Sequence, residues 1–217
     1  MSHFTVFVFS ENEGADLEEL LAPYDENLDV PKYVEYTKEQ AIAHEREEIE
    51  GYKDSWIYKE YIKDPEKYKA EHADNPAHIK YLEVEYPKRL KWTDEQCYEE
   101  IRSWYEDDMV DDEGNLYSKY NPKSKWDWYE IGGRWDGALV SKDGQGVNEC
   151  YAGKIDWEKT DTPFAFITPD GEWHEKGKMG WWAIVSDEKE KDAWKEEFRK
   201  AVEEYGDCYV ISVDCHI

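Results

Sequence analysis

The sequence predicts an α+β fold in which a mostly antiparallel sheet is covered by a C-terminal helix, with an acidic helical insertion after the first strand. Residues 4–9, FTVFVF, are aromatic and β-branched, which is typical of a central strand. Residues 187–205 repeat apolar side chains at helical spacing and end at Gly206, so they predict an amphipathic helix. Residues 209–214, YVISVD, predict a further strand directly after that helix.

The stretch that follows the first strand is predicted to be helical. Residues 16–21 predict a short helix that Pro23 ends. Two capping-box patterns and one Asp-Pro start then predict helices over residues 38–62, 65–73 and 93–105. We therefore expect residues 28–119 to form a helical insertion within a single domain that spans residues 1–217.

The remainder of the chain is predicted to be rich in strands. Short apolar runs separated by turn signals predict strands over residues 137–140, 164–167, 172–174 and 179–185. Residues 168–171, TPDG, predict a hairpin turn between the second and third of these strands.

The charge is strongly acidic, with 53 Asp and Glu against 27 Lys and Arg and a net charge of -26. Residues 1–120 hold 32 of the acidic and 14 of the basic residues. Such a surface repels nucleic acid and anionic membranes, and it favours solubility or a basic protein partner. We expect no direct binding to nucleic acid and no binding to membranes. An acidic face that serves solubility alone is the simpler interpretation.

The four cysteines, Cys97, Cys150, Cys208 and Cys215, are scattered and form no CxxC pair. A chain of this size does not need a disulfide framework, so the thiols are predicted to be reduced and the protein to be cytoplasmic. The first residues have no basic segment followed by an apolar run, and no stretch reaches the length of a transmembrane helix.

Residues 120–135, YNPKSKWDWYEIGGRW, concentrate aromatic and cationic side chains within this acidic chain. Such side chains stack on flat groups and hold phosphate or carboxylate, and the glycine pair permits close approach or positive φ. The alternative is that the tryptophans are large core residues around a bend. The residues assigned to ligand binding are Tyr24, Glu26, Lys125, Trp126, Trp128, Arg134 and Trp181. Asp25, Glu26, Lys125, Arg134 and His216 are hypothesised to line one pocket.

Asp214, Cys215 and His216 are the candidate catalytic residues. On a strand, Asp214 and His216 point to one face and Cys215 to the other. An Asp–His pair orients an imidazole for proton transfer, whereas a Cys–His nucleophile pair requires the strand to end at Asp214. The alternative is a strand end with solvated polar groups.

No cofactor or metal is expected. Residues 107–115 fail the calcium-loop test, because Met109 and Tyr120 stand where carboxylates are required, so a polar hairpin or loop is predicted. Convergence of His3, His174 and His216 on a metal has no local support. Nucleotide-binding and serine-hydrolase fingerprints are absent from the sequence.

Several segments resemble a group of phage and prophage proteins. They are residues 21–27 (LAPYDEN), 121–135 (NPKSKWDWYEIGGRW), 171–173 (GEW), 179–182 (MGWW) and 213–217 (VDCHI). The resemblance covers both ends of the chain, is specific in residues 121–135 and does not extend to residues 30–118. It implies a viral accessory protein made inside a bacterial host cell, and it carries no catalytic assignment.

The sequence thus favours an accessory protein that interferes with a host factor, such as a defence system, by binding. It would act either as an acidic mimic of nucleic acid against a basic host protein or by sequestering a nucleotide. The alternative is a small enzyme that acts on a nucleotide or modified amino acid through Asp214, Cys215 and His216. A third interpretation is a structural or dimeric scaffold that binds no ligand, and the oligomeric state stays open.

Overall fold

The computed structural model describes residues 2–180 and 184–217. The chain folds into two compact units, residues 1–30 with 120–217, and residues 31–119. The first unit holds a mixed sheet and one long helix, and the second is mainly helical. The fold is therefore α+β, as predicted.

Short strands dominate the first unit and short helices the second. The strands are β1 (His3–Ser10), β2 (Tyr33–Tyr36), β3 (Leu116–Ser118), β4 (Trp128–Ile131), β5 (Leu139–Val140), β6 (Gly146–Val147), β7 (Glu149–Tyr151), β8 (Ala165–Ile167), β9 (Trp173–Glu175), β10 (Lys178–Met179), β11 (Val185–Ser186) and β12 (Tyr209–His216). The helices are α1 (Leu17–Leu21), α2 (Lys38–Gly51), α3 (Trp56–Lys63), α4 (Pro65–Glu71), α5 (Pro76–Lys80), α6 (Tyr86–Arg89), α7 (Asp94–Arg102) and α8 (Lys191–Glu204).

The main sheet is built around the two longest strands. Its order is β4-β12-β1-β8-β9, and β7 also pairs with β12. All eight residues of β1 pair antiparallel with β12, from His3 opposite His216 to Ser10 opposite Tyr209. The pairing of β1 with β8 is parallel, and the other pairings in this sheet are antiparallel. The predicted central strand and mostly antiparallel sheet are confirmed.

Each face of the sheet carries an apolar cluster, because side chains alternate along β1 and β12. One face holds Val6, Val8, Val213 and Cys215, packed against α1. The opposite face holds Phe7, Phe9 and Val210, packed against Trp194 and Phe198 of α8. The C-terminal helix covers one face of the sheet, as predicted.

The helical unit, residues 31–119, has two apolar clusters of its own. Ala41, Tyr98 and Leu116 form one, and Ile49, Tyr86 and Cys97 form the other. Both predicted capping boxes are present, at Thr37 with Gln40 and at Thr93 with Gln96. The polar hairpin predicted near residues 107–115 is also present, because Val110 bridges Leu116 around the Asp111–Asn115 turn.

Some predicted boundaries were wrong. The helix predicted over residues 38–62 breaks after Gly51, and Ser55 caps a new helix by accepting from the Tyr58 backbone NH. The C-terminal helix begins at Lys191 rather than Asp187, because Ser186 belongs to a strand and Asp187 has a positive φ of 51°. At the two ends of the strand predicted over residues 179–185, β10 and β11 pair antiparallel with each other, and residues 181–183 lie outside the described part.

The two units share the acidic character. Residues 31–119 contain 24 Asp and Glu against 14 Lys and Arg, and the rest of the chain contains 29 against 13. Residues 1–30 contain eight Asp and Glu and no Lys or Arg. The helical unit is therefore not the main source of negative charge. None of the helices within the described residues has the length and apolar character needed to cross a bilayer.

Candidate functional site

Three strands bring two histidines and a tryptophan into one row. His216 on β12 lies opposite His3 on β1 and opposite Trp128 on β4, so all three side chains share one face of the sheet. The His216 and Trp128 rings stack with centroids 5.2 Å apart, and the His3 ring lies edge-on to both. Asp214 projects on the same face, two residues before His216.

Each histidine is held by a carboxylate. His3 Nδ1 lies 2.9 Å from Asp214 Oδ1, and His216 Nδ1 lies 2.6 Å from Asp127 Oδ1. A carboxylate only accepts hydrogen bonds, so both contacts favour the tautomer with the proton on Nδ1. In the neutral rings Nε2 then carries the lone pair, which is the arrangement of a general base.

The two histidines differ in their position at the cleft. Both side chains are largely buried, since that of His3 is 8% exposed and that of His216 is 6% exposed. The Nε2 atom of His216 is buried without a hydrogen-bond partner among the described residues. His3 lines an open cleft that His216 does not line, so His3 is the histidine at the cleft surface, and His216 stacks on Trp128 beside it.

A tight glycine turn closes over Asp214. Gly133 has a φ of +53°, and a Cβ added there would lie 2.5 Å from the Asp214 Cβ. The next residue, Arg134, donates its backbone NH to Asp214 Oδ2 at 2.9 Å. Gly132 has a φ of +76° and would place a Cβ 2.5 Å from the Asn148 side chain. The predicted close approach and positive φ at the glycine pair are confirmed, and the turn fixes the carboxylate that orients His3.

The resulting cleft has a volume of about 510 Å³ and is called the histidine cleft below. Its lining residues are His3, Trp128, Glu130, Ile131, Gly133, Arg134, Asp136 and Asp214. Trp128 is 42% exposed, and Arg134 is exposed with no side-chain hydrogen bond or ion pair among the described residues. Within the described part of the chain, the cleft thus offers an exposed aromatic ring, a guanidinium without an ion-pair partner and the edge of a largely buried imidazole, beside three carboxylates.

Cys215 lies on the other face of β12, as strand alternation predicts. Its side chain is fully buried in the apolar cluster around Val6 and Val213. Desolvation raises the pKa of the Cys215 thiol well above its usual range, and the Asp214 charge raises it further. The strand continues through His216, so Cys215 and His216 diverge and do not form a nucleophile–base pair in this structure.

Two predicted ligand-binding residues are core residues. Tyr24 is 9% exposed, donates its hydroxyl to the Gly171 carbonyl at 2.6 Å and packs on Trp173. Trp126 is 7% exposed and donates its indole NH to the Leu21 carbonyl. For these two residues the core interpretation applies, because both rings are buried and both polar atoms are satisfied inside the protein.

The remaining predicted ligand-binding residues lie in different places. Lys125 forms a 2.7 Å ion pair with Glu175 in a separate cleft of about 200 Å³. Glu26 donates its backbone NH to the Trp126 carbonyl, which ties the loop after α1 to the segment before β4. Of the assigned side chains, the histidine cleft brings together Trp128 and Arg134. The hypothesis that Asp25, Glu26, Lys125, Arg134 and His216 line one pocket was wrong, since Arg134 alone of these five lines the histidine cleft. Trp181 lies outside the described residues.

The described residues contain no group of three or more His, Cys, Asp or Glu side chains arranged to hold a metal ion. His3 and His216 are neighbours, but His174 lies on β9 and contacts Glu197 of α8. The three histidines therefore do not converge.

Sequence reasoning missed His3 and Asp127 as members of the acid–base cluster. Along β1, His3 and Thr5 lie on one face of the sheet, and along β12 so do Asp214 and His216. Because the two strands pair antiparallel, His3 lies opposite His216 and close to Asp214. Asp127 stands directly before the exposed Trp128, and its backbone NH donates to the His216 carbonyl at 3.0 Å. Both signals depend on knowing which strands pair.

Comparison of the chain with known protein families, curated proteins and solved structures finds no match.

The first prediction concerns the glycine turn. Gly133→Ala is expected to lower the free energy of unfolding by about 2–5 kcal/mol, because the added Cβ meets Asp214 and φ is positive. Gly144→Ala is the control, since its φ is +86° but no atom lies within 4 Å of the added Cβ. Gly144→Ala should lower the free energy of unfolding by only about 1–2 kcal/mol, because it introduces a positive φ without a steric clash. Urea unfolding of both variants measures the difference. Equal losses in the two variants would contradict the steric role of Gly133.

The second prediction concerns thiol reactivity. Cys150 and Cys208 are half-buried, whereas Cys97 and Cys215 are buried. Because the thiolate is the reactive form and burial raises the pKa of Cys215 most strongly, Cys215 should stay unlabelled by a maleimide in the native protein near neutral pH. Mass spectrometry of the digested protein measures this, and denatured protein is the control. If the maleimide labels Cys215 faster than Cys150 in the native protein, Cys215 is not buried as described.

Proposed function

We propose that this chain is a phage-type accessory protein that binds a nucleotide of low charge in the histidine cleft and withholds it from a host process inside the bacterial cell. The observation that carries the proposal is the placement of Trp128 and Arg134 in one cleft. An exposed aromatic face stacks on a base, and a guanidinium pairs with a phosphate. His3 Nε2, in the same cleft, adds an acceptor or donor for a polar edge of the ligand.

The charges in the cleft narrow the ligand class. Among the described lining residues, Arg134 is the single Arg or Lys, whereas Glu130, Asp136 and Asp214 are carboxylates. Asp214 is engaged by His3 and by the Arg134 backbone NH, and Asp136 accepts from the Asn148 amide at 2.8 Å. One free guanidinium balances one phosphate, and further phosphates would approach Glu130 without a counter-charge. The ligand class is therefore a nucleoside monophosphate or a cyclic nucleotide rather than a triphosphate.

Three of the five segments that resemble phage proteins are joined to one another next to the histidine cleft, which supports the accessory role. β4, within residues 121–135, pairs with the end of β12, within residues 213–217. Residues 21–27 are tied to the same region, because the Asn121 amide donates to the Pro23 and Asp25 carbonyls at 2.9 Å each.

The third prediction tests binding through Arg134. In a thermal-shift screen of mono-, cyclic and triphosphates, a ligand at a hundredfold excess over its Kd should stabilise the protein by about 2.7 kcal/mol. Monophosphates or cyclic nucleotides should give the largest shift. Arg134→Gln should weaken binding by tenfold or more, because a charge-assisted phosphate contact is lost. Lys123→Gln is the matched control, since Lys123 is exposed in the same unit but lines a different cleft.

Failure of every nucleotide to shift the melting temperature would overturn the proposal. In that case the acidic surface is the better candidate for the binding function. The search then moves to basic host proteins, whose binding should weaken strongly with added salt.

A second candidate function is favoured by the His3–Asp214 pair. A histidine that lines the cleft and is oriented through Nδ1 by a buried carboxylate is arranged for proton transfer to or from a bound substrate. In this alternative His3 is the base, Asp214 orients it and Arg134 binds an anionic group. The chain is then a small enzyme that acts on a nucleotide or modified amino acid.

The fourth prediction separates binding from turnover. Mass spectrometry of each ligand after incubation should return it unchanged if the protein sequesters it, and converted if the protein is an enzyme. For an enzyme, His3→Ala should lower kcat by about 100-fold or more at a temperature where thermal melting shows the variant to be folded. The melting temperature itself should fall, because Asp214 loses a hydrogen-bond partner while it stays buried. Turnover that survives His3→Ala undiminished would exclude His3 as the base.

A further inference from the structure

A second cavity lies against α8, on the side of the sheet that this helix covers. It has a volume of about 560 Å³, within the range of organic ligand sites, and is called the α8 groove below. Its floor is formed by the apolar side chains Trp157, Phe198 and Val202. The Trp157 and Phe198 rings meet edge to face with centroids 5.6 Å apart, and Phe198 is anchored in the core at 5% exposure. The floor is therefore apolar and fixed by the sheet beneath it.

One rim of the groove is cationic. Lys191 and Lys195 line it from successive turns of α8, so both ammonium groups lie on the same side of the helix. Both are exposed, and neither has a hydrogen-bond or ion-pair partner among the described residues. Arg199, one turn further, is already paired with Glu196 and Glu203. In a chain with 53 acidic and 27 basic residues, two such lysines at an apolar groove are poorly explained by ion pairing within the described part of the protein.

Two acidic lining residues limit the negative charge that a ligand of the α8 groove can carry. Glu158 and Asp161 line the groove from the segment between β7 and β8 and repel a second negative group. Thr160 is 7% exposed, and its hydroxyl oxygen accepts from the Val140 backbone NH at 3.0 Å, so this segment is fixed to the sheet unit. These charges favour a ligand with a single anionic group next to the lysines of α8 and an uncharged body against the apolar floor.

We propose that the α8 groove binds an amphipathic organic monoanion, an apolar carbon body with a single carboxylate. The body packs on Trp157, Phe198 and Val202, and the carboxylate pairs with Lys191 and Lys195. A flat aromatic acid and an acyl chain share this chemistry. This site is independent of the nucleotide proposed for the histidine cleft, because the two cavities share no lining residue within the described ranges.

The fifth prediction is measured by calorimetry with the full chain and two probes, 1-naphthoate and decanoate. Binding should saturate at one equivalent for at least one probe, and the preferred probe tells an aromatic ligand from an acyl one. The uncharged alcohol of the same carbon skeleton should bind tenfold or more weakly, because it cannot pair with the lysines.

Lys195→Glu should weaken carboxylate binding by tenfold or more, because it replaces attraction by repulsion at the rim. Lys200→Glu is the matched control. It makes the same charge change on the same helix, at an exposed lysine that does not line the groove, and should stay within twofold of the wild type. Arg134→Gln should also leave this binding unchanged, which separates it from the histidine cleft. Thermal melting checks that each variant is folded.

Absence of saturable binding by both carboxylates would overturn the proposal. Equal affinity of Lys195→Glu and the wild type would do the same. So would an equal loss in Lys200→Glu, because binding would then follow the net charge of the protein rather than this groove.

Discussion

The antiparallel pairing of β1 with β12 is the interaction on which the rest of the sheet unit depends. It joins the two ends of the chain through eight paired positions, from His3 with His216 to Ser10 with Tyr209, and it places β1 between β12 and β8. Because side chains alternate, the same pairing creates both apolar clusters and leaves the polar ends of the two strands side by side. A shift of one residue would place Cys215 among the polar groups and His216 in the core.

The glycine turn at Gly132 and Gly133 packs against Asp214, at the polar end of the paired strands β1 and β12. Asp214 is only 2% exposed, so its carboxylate needs partners, and it receives them from His3 and the Arg134 backbone NH. The same turn that satisfies Asp214 presents the Arg134 side chain to solvent. The residues that bury the Asp214 carboxylate therefore also line the histidine cleft, so they contribute both to stability and to ligand binding. The α8 groove is different, because its lysines satisfy no buried group among the described residues.

Local sequence patterns predicted much of this fold. The apolar runs of β1 and β12 and the capping boxes at Thr37 and Thr93 depend on near neighbours, and each was found. The break after Gly51 was missed because the helical pattern continues through Trp56 and only the Ser55 cap interrupts it. The candidate site was predicted less completely. Trp128 and Arg134 were identified from composition, but the partner of Asp214 is His3, and that contact depends on long-range strand register.

The pairing of β1 with β12 also sets an order of events during synthesis. Residues 3–10 leave the ribosome well before residues 209–216, which are their partner on one side. Until then the β12-facing edge of this aromatic strand lacks its native partner and is open to pairing with another chain. The histidine cleft cannot assemble before Asp214 and His216 exist, so any activity of this site appears only after both of these residues have been translated. Folding of the sheet is thus expected to be slow compared with that of the helical segment, whose contacts close within residues 31–119.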